Sequence, residues 1–75
     1  MLKSNLGYIM LDKKIKNVTE LSRQVNISRE TLRKIYNGDR LETVSFETVA
    51  KLCKFFNCQI TDIIEYIPDE ETSQN

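Results

Sequence analysis

Apolar side chains recur along this chain at spacings of three and four, broken by short polar stretches, the pattern of amphipathic helices that follow one another closely. Leu2, Leu6, Ile9 and Met10 predict a first helix over residues 4–14 with Ser4 as its N-cap, although Gly7 inside it costs roughly 1 kcal/mol relative to alanine. Asn17 begins a second helix, and Glu20 three residues later approximates a capping box. Its apolar stripe is Val18, Leu21 and Val25, continued by Ile27. Asn26 is the expected left-handed residue that ends it, because asparagine tolerates positive φ better than most residues.

Ser28 caps a third helix that continues to Asn37, with Gly38 placed as its C′ residue. Leu32, Ile35 and Tyr36 fall on one face of this helix; Glu30, Arg33, Lys34 and Asn37 fall on the other, with Arg29 beside them. After a polar connection over 39–43, Ser45 caps a fourth helix whose stripe is Phe46, Val49, Leu52, Cys53 and Phe56, and Asn57 is placed to end it. A fifth, short helix is expected over 60–66, with Ile60, Ile63, Ile64 and Ile67 apolar and Pro68 as its stop. Only residues 41–46 have any extended character. The expectation is therefore an all-α, compact five-helix domain over 1–67, with a tight helix-turn-helix at helices two and three and a polar, disordered tail over 68–75.

Composition narrows the reading. Seventy-five residues make at most one domain, and 40% hydrophobic with 29% charged residues is ordinary for a globular protein. No apolar run approaches the roughly 20 residues of a membrane span. The apolar patch behind Lys3 contains Ser4, Asn5 and Gly7, so a secretory leader is not expected and a cytoplasmic location is.

The formal net charge is zero and the pI about 6.2, which argues mildly against a nucleic-acid partner. Its distribution argues the other way. Residues 1–40 carry nine basic and four acidic side chains, a net +5, and residues 41–75 carry two basic and seven acidic ones, a net −5. Such asymmetry points to an anionic partner for the basic half. Lys13, Lys14 and Lys16 contribute to it, but their plainest use is to compensate a helix carboxyl end.

Catalysis finds little support, since the chain has no histidine and no Gly-rich phosphate loop. Cys53 and Cys58 lack the further ligands of a structural zinc site. They read as small buried apolar groups in a reducing compartment, and their spacing gives no basis for predicting a disulfide. No enzyme activity, metal or cofactor is expected.

The landmarks Glu20-Leu21-Ser22, Asn26-Ile27-Ser28-Arg29, Leu32 and Tyr36-Asn37-Gly38 resemble those of the Cro/C1-type (Xre-like) helix-turn-helix regulators. The resemblance runs from about residue 6 to 66, because Phe46, Val49, Leu52 and Cys53 and the stretch Asp62-Ile63-Ile64-Glu65-Tyr66 look like the family's fourth and fifth helices. It implies a sequence-specific double-stranded DNA-binding transcriptional regulator, a repressor, with the recognition helix 28–37 in the major groove. Three positions depart from the pattern: Ser22 stands where alanine is usual, Asn26 replaces the turn glycine, and Val18 replaces a glutamine that holds a phosphate in many relatives.

A helix in the major groove must present long side chains able to pair with base edges, as Arg and Lys do with guanine and Glu does with cytosine. Arg29, Glu30, Arg33 and Lys34 meet that requirement, and the resemblance assigns base reading to Arg29, Glu30 and Lys34. Candidates for phosphate contact are Asn17, Ser28, Thr31, Asn37 and Arg40, of which Asn17 and Ser28 would also serve as plain helix caps. A purely structural use of the basic face fits less well. Glu30 with Lys34 attracts at i,i+4, but Arg29 with Arg33 repels by a similar few tenths of a kcal/mol.

One domain reads too few base pairs for genomic specificity, so a homodimer on two half-sites is expected; the apolar edge Ile60, Ile64, Tyr66 and Ile67 is the surface available to pair it, although packing onto helices one and four is the plainer use of most of these residues. The competing reading is a protein-interaction module, an antitoxin-like or phage-associated adaptor with a protein partner. The neutral total charge, Val18 and the acidic tail favour it.

Overall fold

A computed structural model describes residues 1–68. The tail expected over 68–75 lies, beyond Pro68, outside the described residues. In chain order the elements are strand β1 (Leu2–Ser4), helices α1 (Leu6–Asp12), α2 (Val18–Val25) and α3 (Arg29–Asn37), a 3-10 turn at Leu41–Thr43, helix α4 (Phe46–Phe56), a second 3-10 turn at Ile60–Asp62 and strand β2 (Ile64–Tyr66). No described helix is long and apolar enough to cross a membrane.

The helix-turn-helix core agrees with the sequence pattern, and the caps explain why. Asn17, Ser28 and Ser45 each accept a backbone N–H three residues on, from Glu20, Thr31 and Thr48. Asn26, Gly38 and Asn57 are all left-handed and end α2, α3 and α4. Glu20 extends its carboxylate one residue beyond the capping-box position, accepting from the Lys16 N–H at 2.9 Å.

The two ends of the chain differ from the all-α, five-helix expectation. Among the described residues there are four α-helices and a two-stranded antiparallel sheet, in which Leu2 faces Tyr66, Lys3 faces Glu65 and Ser4 faces Ile64. Residues 60–66, expected as a fifth helix, form a single 3-10 turn closed by Gln59 and Asp62, whose carboxylate accepts the Gln59 N–H at 2.9 Å, and then β2. Residues 2–4 belong to β1 and not to the first helix, so Ser4 is not its N-cap; Asn5 holds that position without a side-chain cap bond. Each strand depends on a partner some 60 residues away in sequence, which no local periodicity reveals. The Asn5 N–H donates to the Ile63 carbonyl at 2.7 Å, the Asn5 amide to Glu65 at 2.8 Å, and Met1 and Ile67 exchange two 2.7 Å bonds. The opposed charges of Lys3 and Glu65 suit the antiparallel register.

The core draws on all four helices and on the turn before β2. Leu6, Leu21, Leu32, Ile35, Leu52 and Ile63 are fully buried, and Met10, Val25, Ile27, Leu41 and Phe56 complete the cluster. Leu2, Tyr36, Phe46 and Ile60, all expected on apolar stripes, are exposed. Phe46, the first residue of α4, is 85% exposed. Ile60 is half exposed on its 3-10 turn. Tyr36, at the margin of the apolar face of α3, is also half exposed, and its ring crosses α1 at Gly7, where a Cβ would stand 3.3 Å from the ring edge. Residues 41–43, within the expected polar connection, form a 3-10 turn, with Leu41 buried as its anchor. Cys53 and Cys58 are free thiols and half-buried, less enclosed than the sequence reading had them.

Candidate nucleic-acid interface

The geometry of α3 is set from behind. Leu32 and Ile35 are fully buried, so the opposite face must meet solvent. Arg29, Glu30, Arg33 and Asn37 are exposed there, and Lys34 is half-buried at its edge. The turn before α3 is held by the Ser22 hydroxyl, which donates to the Ile27 carbonyl at 2.7 Å across the crossing of α2 and α3. Ile27 itself is buried and pins the turn to the core. The turn between α2 and α3 is thus held by one side-chain hydrogen bond and an apolar anchor, beside the packing of Leu21 and Val25 with Leu32 and Ile35 in the core.

Arg33 and Asn37 form a ridge between two shallow grooves. One is lined by Lys16, Asn17, Val18, Thr19 and Tyr36 together with the ridge, so the amino end of α2 and the middle of α3 share a surface. The other is lined by Glu30, Lys34, Asp39 and Arg40 with the same ridge. The fold therefore brings Asn17, Glu30, Arg33, Lys34, Asn37 and Arg40 to one continuous face. Ser28, Arg29 and Thr31 lie at the amino end of α3 and line neither groove.

Several polar groups on this face already have partners, which defines what they can still offer. The Asn17 side-chain oxygen accepts the Glu20 N–H at 2.8 Å, leaving the amide NH₂ as the available donor. The Ser28 hydroxyl donates to the Thr31 oxygen at 2.9 Å and accepts the Thr31 N–H at 3.2 Å, so the Thr31 hydroxyl retains its proton to donate. Arg40 has φ of 50°, unusual for a side chain of that size, and its carbonyl accepts from both the Thr43 N–H and the Thr43 hydroxyl. That locked turn determines where the arginine leaves the backbone.

Sequence reasoning missed Lys16, Thr19 and Tyr36 as members of this face. Tyr36 could have been found from its helical angle, which places it next to Arg33 at the boundary of the two faces. Thr19 carries no such signal, since its role depends on how α2 meets α3.

Residues 5–69 match the family described as the Cro/C1-type HTH DNA-binding domain. The chain is also 39% identical over 64 residues to an uncharacterized HTH-type transcriptional regulator, YozG, of Bacillus subtilis (strain 168), an alignment that covers 85% of this chain and 75% of that protein. The chain belongs to the Cro/C1-type helix-turn-helix family.

Proposed function

We propose, starting from that membership, that the chain is a transcriptional regulator that binds double-stranded DNA sequence-specifically by seating residues 28–37 in the major groove. The observation that carries this reading is the outward face of α3, which exposes two arginines and a glutamate while its opposite side is fully buried. Side chains so placed can approach base edges without disturbing the fold. Arg29, Glu30, Arg33 and Lys34 are assigned to base reading. The Asn17 amide, the Thr31 hydroxyl, Asn37 and Arg40 are assigned to phosphates, with Ser28 acting by orienting Thr31. Val18 offers no hydrogen bond where relatives use glutamine, and Lys16 and Thr19, in the same groove, are positioned to replace that contact.

Two copies on half-sites separated by about 34–36 Å, one turn of the duplex, would supply the specificity that a single α3 lacks. Ile60 and Tyr66, both exposed, and the half-buried Ile64 and Ile67 form the apolar surface available for pairing. Occupancy by such a dimer excludes other proteins from the same base pairs, which makes repression the direct consequence of binding.

The test is a salt titration of binding to mixed-sequence duplex and to a duplex selected from a random pool. The expected result is a steep linear fall of log K with log salt on both, with the selected duplex held roughly 10³-fold or more tighter. Absence of binding at low salt by a folded chain overturns the DNA reading and favours a protein-interaction module, for which the neutral total charge is the supporting observation.

A further inference from the structure

At the carboxyl end of α4 the chain reverses through left-handed Asn57 (φ 56°, ψ 55°), and the N–H groups of Asn57 and Cys58 both donate to the Cys53 carbonyl, the second at 3.0 Å. In a reversal of this kind the residue after the left-handed one folds back onto the residue five positions earlier, and the two side chains touch. Here both of those positions are cysteine. Standard bond lengths on either side of the Cys58–Cys53 hydrogen bond put the two Cα atoms at most about 7 Å apart, against the roughly 4.4–6.8 Å that a disulfide spans. Both thiols are free, half-buried and packed at the margin of the core. Burial raises the Cys58 thiol above its ordinary 9.0, the adjacent Cys53 thiol and then Asp62 raise it further, and Lys13 opposes them.

The end of α3 is a comparison within the same chain. Left-handed Gly38 is followed by Asp39, whose N–H donates to the Lys34 carbonyl at 3.0 Å, so the apposed side chains there are a lysine and an aspartate. The same backbone device thus occurs twice, and at α4 it presents two thiols to one another. Among the described residues no group of three or more His, Cys, Asp or Glu side chains assembles as a metal would require. The pair is a dithiol without further ligands.

We propose that Cys53 and Cys58 are a redox-active dithiol that closes to an intramolecular disulfide by exchange with small-molecule disulfides of the oxidised glutathione class. The thiolate of one cysteine attacks a sulfur of the small disulfide, forming a mixed disulfide and releasing one small thiolate. The thiolate of the second cysteine then displaces the other half, so that the Sγ–Sγ bond forms and a second small thiolate leaves. The small disulfide is reduced by two electrons, the protein pair is oxidised by two, and the two protein thiol protons end on the released small thiols. Because the Cys58 thiol holds its proton above the ordinary range, closure speeds up as the solution becomes alkaline. The closed ring fixes the reversal that follows buried Phe56.

The test equilibrates the full chain with mixtures of reduced and oxidised glutathione and reads the intact mass of the alkylated products, once under native conditions and once in concentrated urea. The expected product is a monomer lacking two hydrogens, with an equilibrium constant for closure roughly tenfold or more higher in the folded chain than in the unfolded one. Cys53→Ser and Cys58→Ser should each leave only a mixed disulfide with glutathione. Equal or weaker closure in the folded chain, or only mixed disulfides and cross-linked dimers from the unaltered chain, overturns the proposal. The comparison of folded and unfolded states of the native sequence stands even if a serine variant fails to fold.

Discussion

The Ser22 hydroxyl reaches across the crossing of α2 and α3 to donate a 2.7 Å hydrogen bond to the Ile27 carbonyl. Alanine at this position, usual in the family that the sequence resembles, would remove the donor and leave the carbonyl to find another. Ser22→Ala should lower stability to urea by about 1 kcal/mol, the net worth of one such bond. Equal or greater stability would show that the hydroxyl merely occupies space.

Asn26 stands at φ 59° in the turn. Asn26→Gly should change stability by only a few tenths of a kcal/mol, whereas Asn26→Ala should cost about 1 kcal/mol, since a Cβ without a compensating polar group is disfavoured in the left-handed region. Thermal unfolding of the pair measures the difference directly. Alanine performing as well as glycine would mean that the turn does not retain its left-handed residue.

The isoleucines near the carboxyl end separate the observed fold from a fifth helix. Ile63 is fully buried and Ile60 half exposed. Ile63→Ala should cost roughly 2–5 kcal/mol and Ile60→Ala well under 1 kcal/mol. Comparable losses at both positions would point to a shared buried stripe, as a helix over 60–66 would have.

On DNA the two classes of contact should part company. Arg29→Ala should lose about 1–3 kcal/mol on a selected duplex and relax the choice of base, while Arg40→Ala should weaken binding to every sequence alike and flatten the salt dependence by about one unit. A uniform loss for Arg29→Ala across sequences would reassign it to the backbone.

The Cys58 thiol is raised in the folded chain, chiefly by burial. The unfolded chain therefore releases that proton first as pH rises through the ordinary thiol value of 9.0, and it binds fewer protons than the folded chain in that window. Stability contributed by the neutral thiol is complete below this value and is lost above it. Reduced protein followed by urea unfolding between neutral and alkaline pH should show the decline, and Cys58→Ala should flatten it.

The helix-turn-helix was legible because its instructions are local. Asn17, Ser28 and Ser45 cap helices through bonds that span three residues, and Asn26, Gly38 and Asn57 end them through their own backbone preferences. The outward face of α3 was legible for the same reason, since helical angle alone separates Arg29, Glu30 and Arg33 from Leu32 and Ile35. Phe46 was misplaced because angle says which side of a helix a residue occupies and not whether a neighbour reaches it there.

The amino-acid sequence by itself determined α2, α3 and α4, their caps and the basic character of α3. The tertiary structure alone decided that the chain ends pair as strands and that Arg33 and Asn37 form a ridge shared with the amino end of α2. The physical reason is range. A cap or a helical face is a property of a few adjacent residues, whereas the pairing of Leu2 with Tyr66 requires the whole core to bring them together.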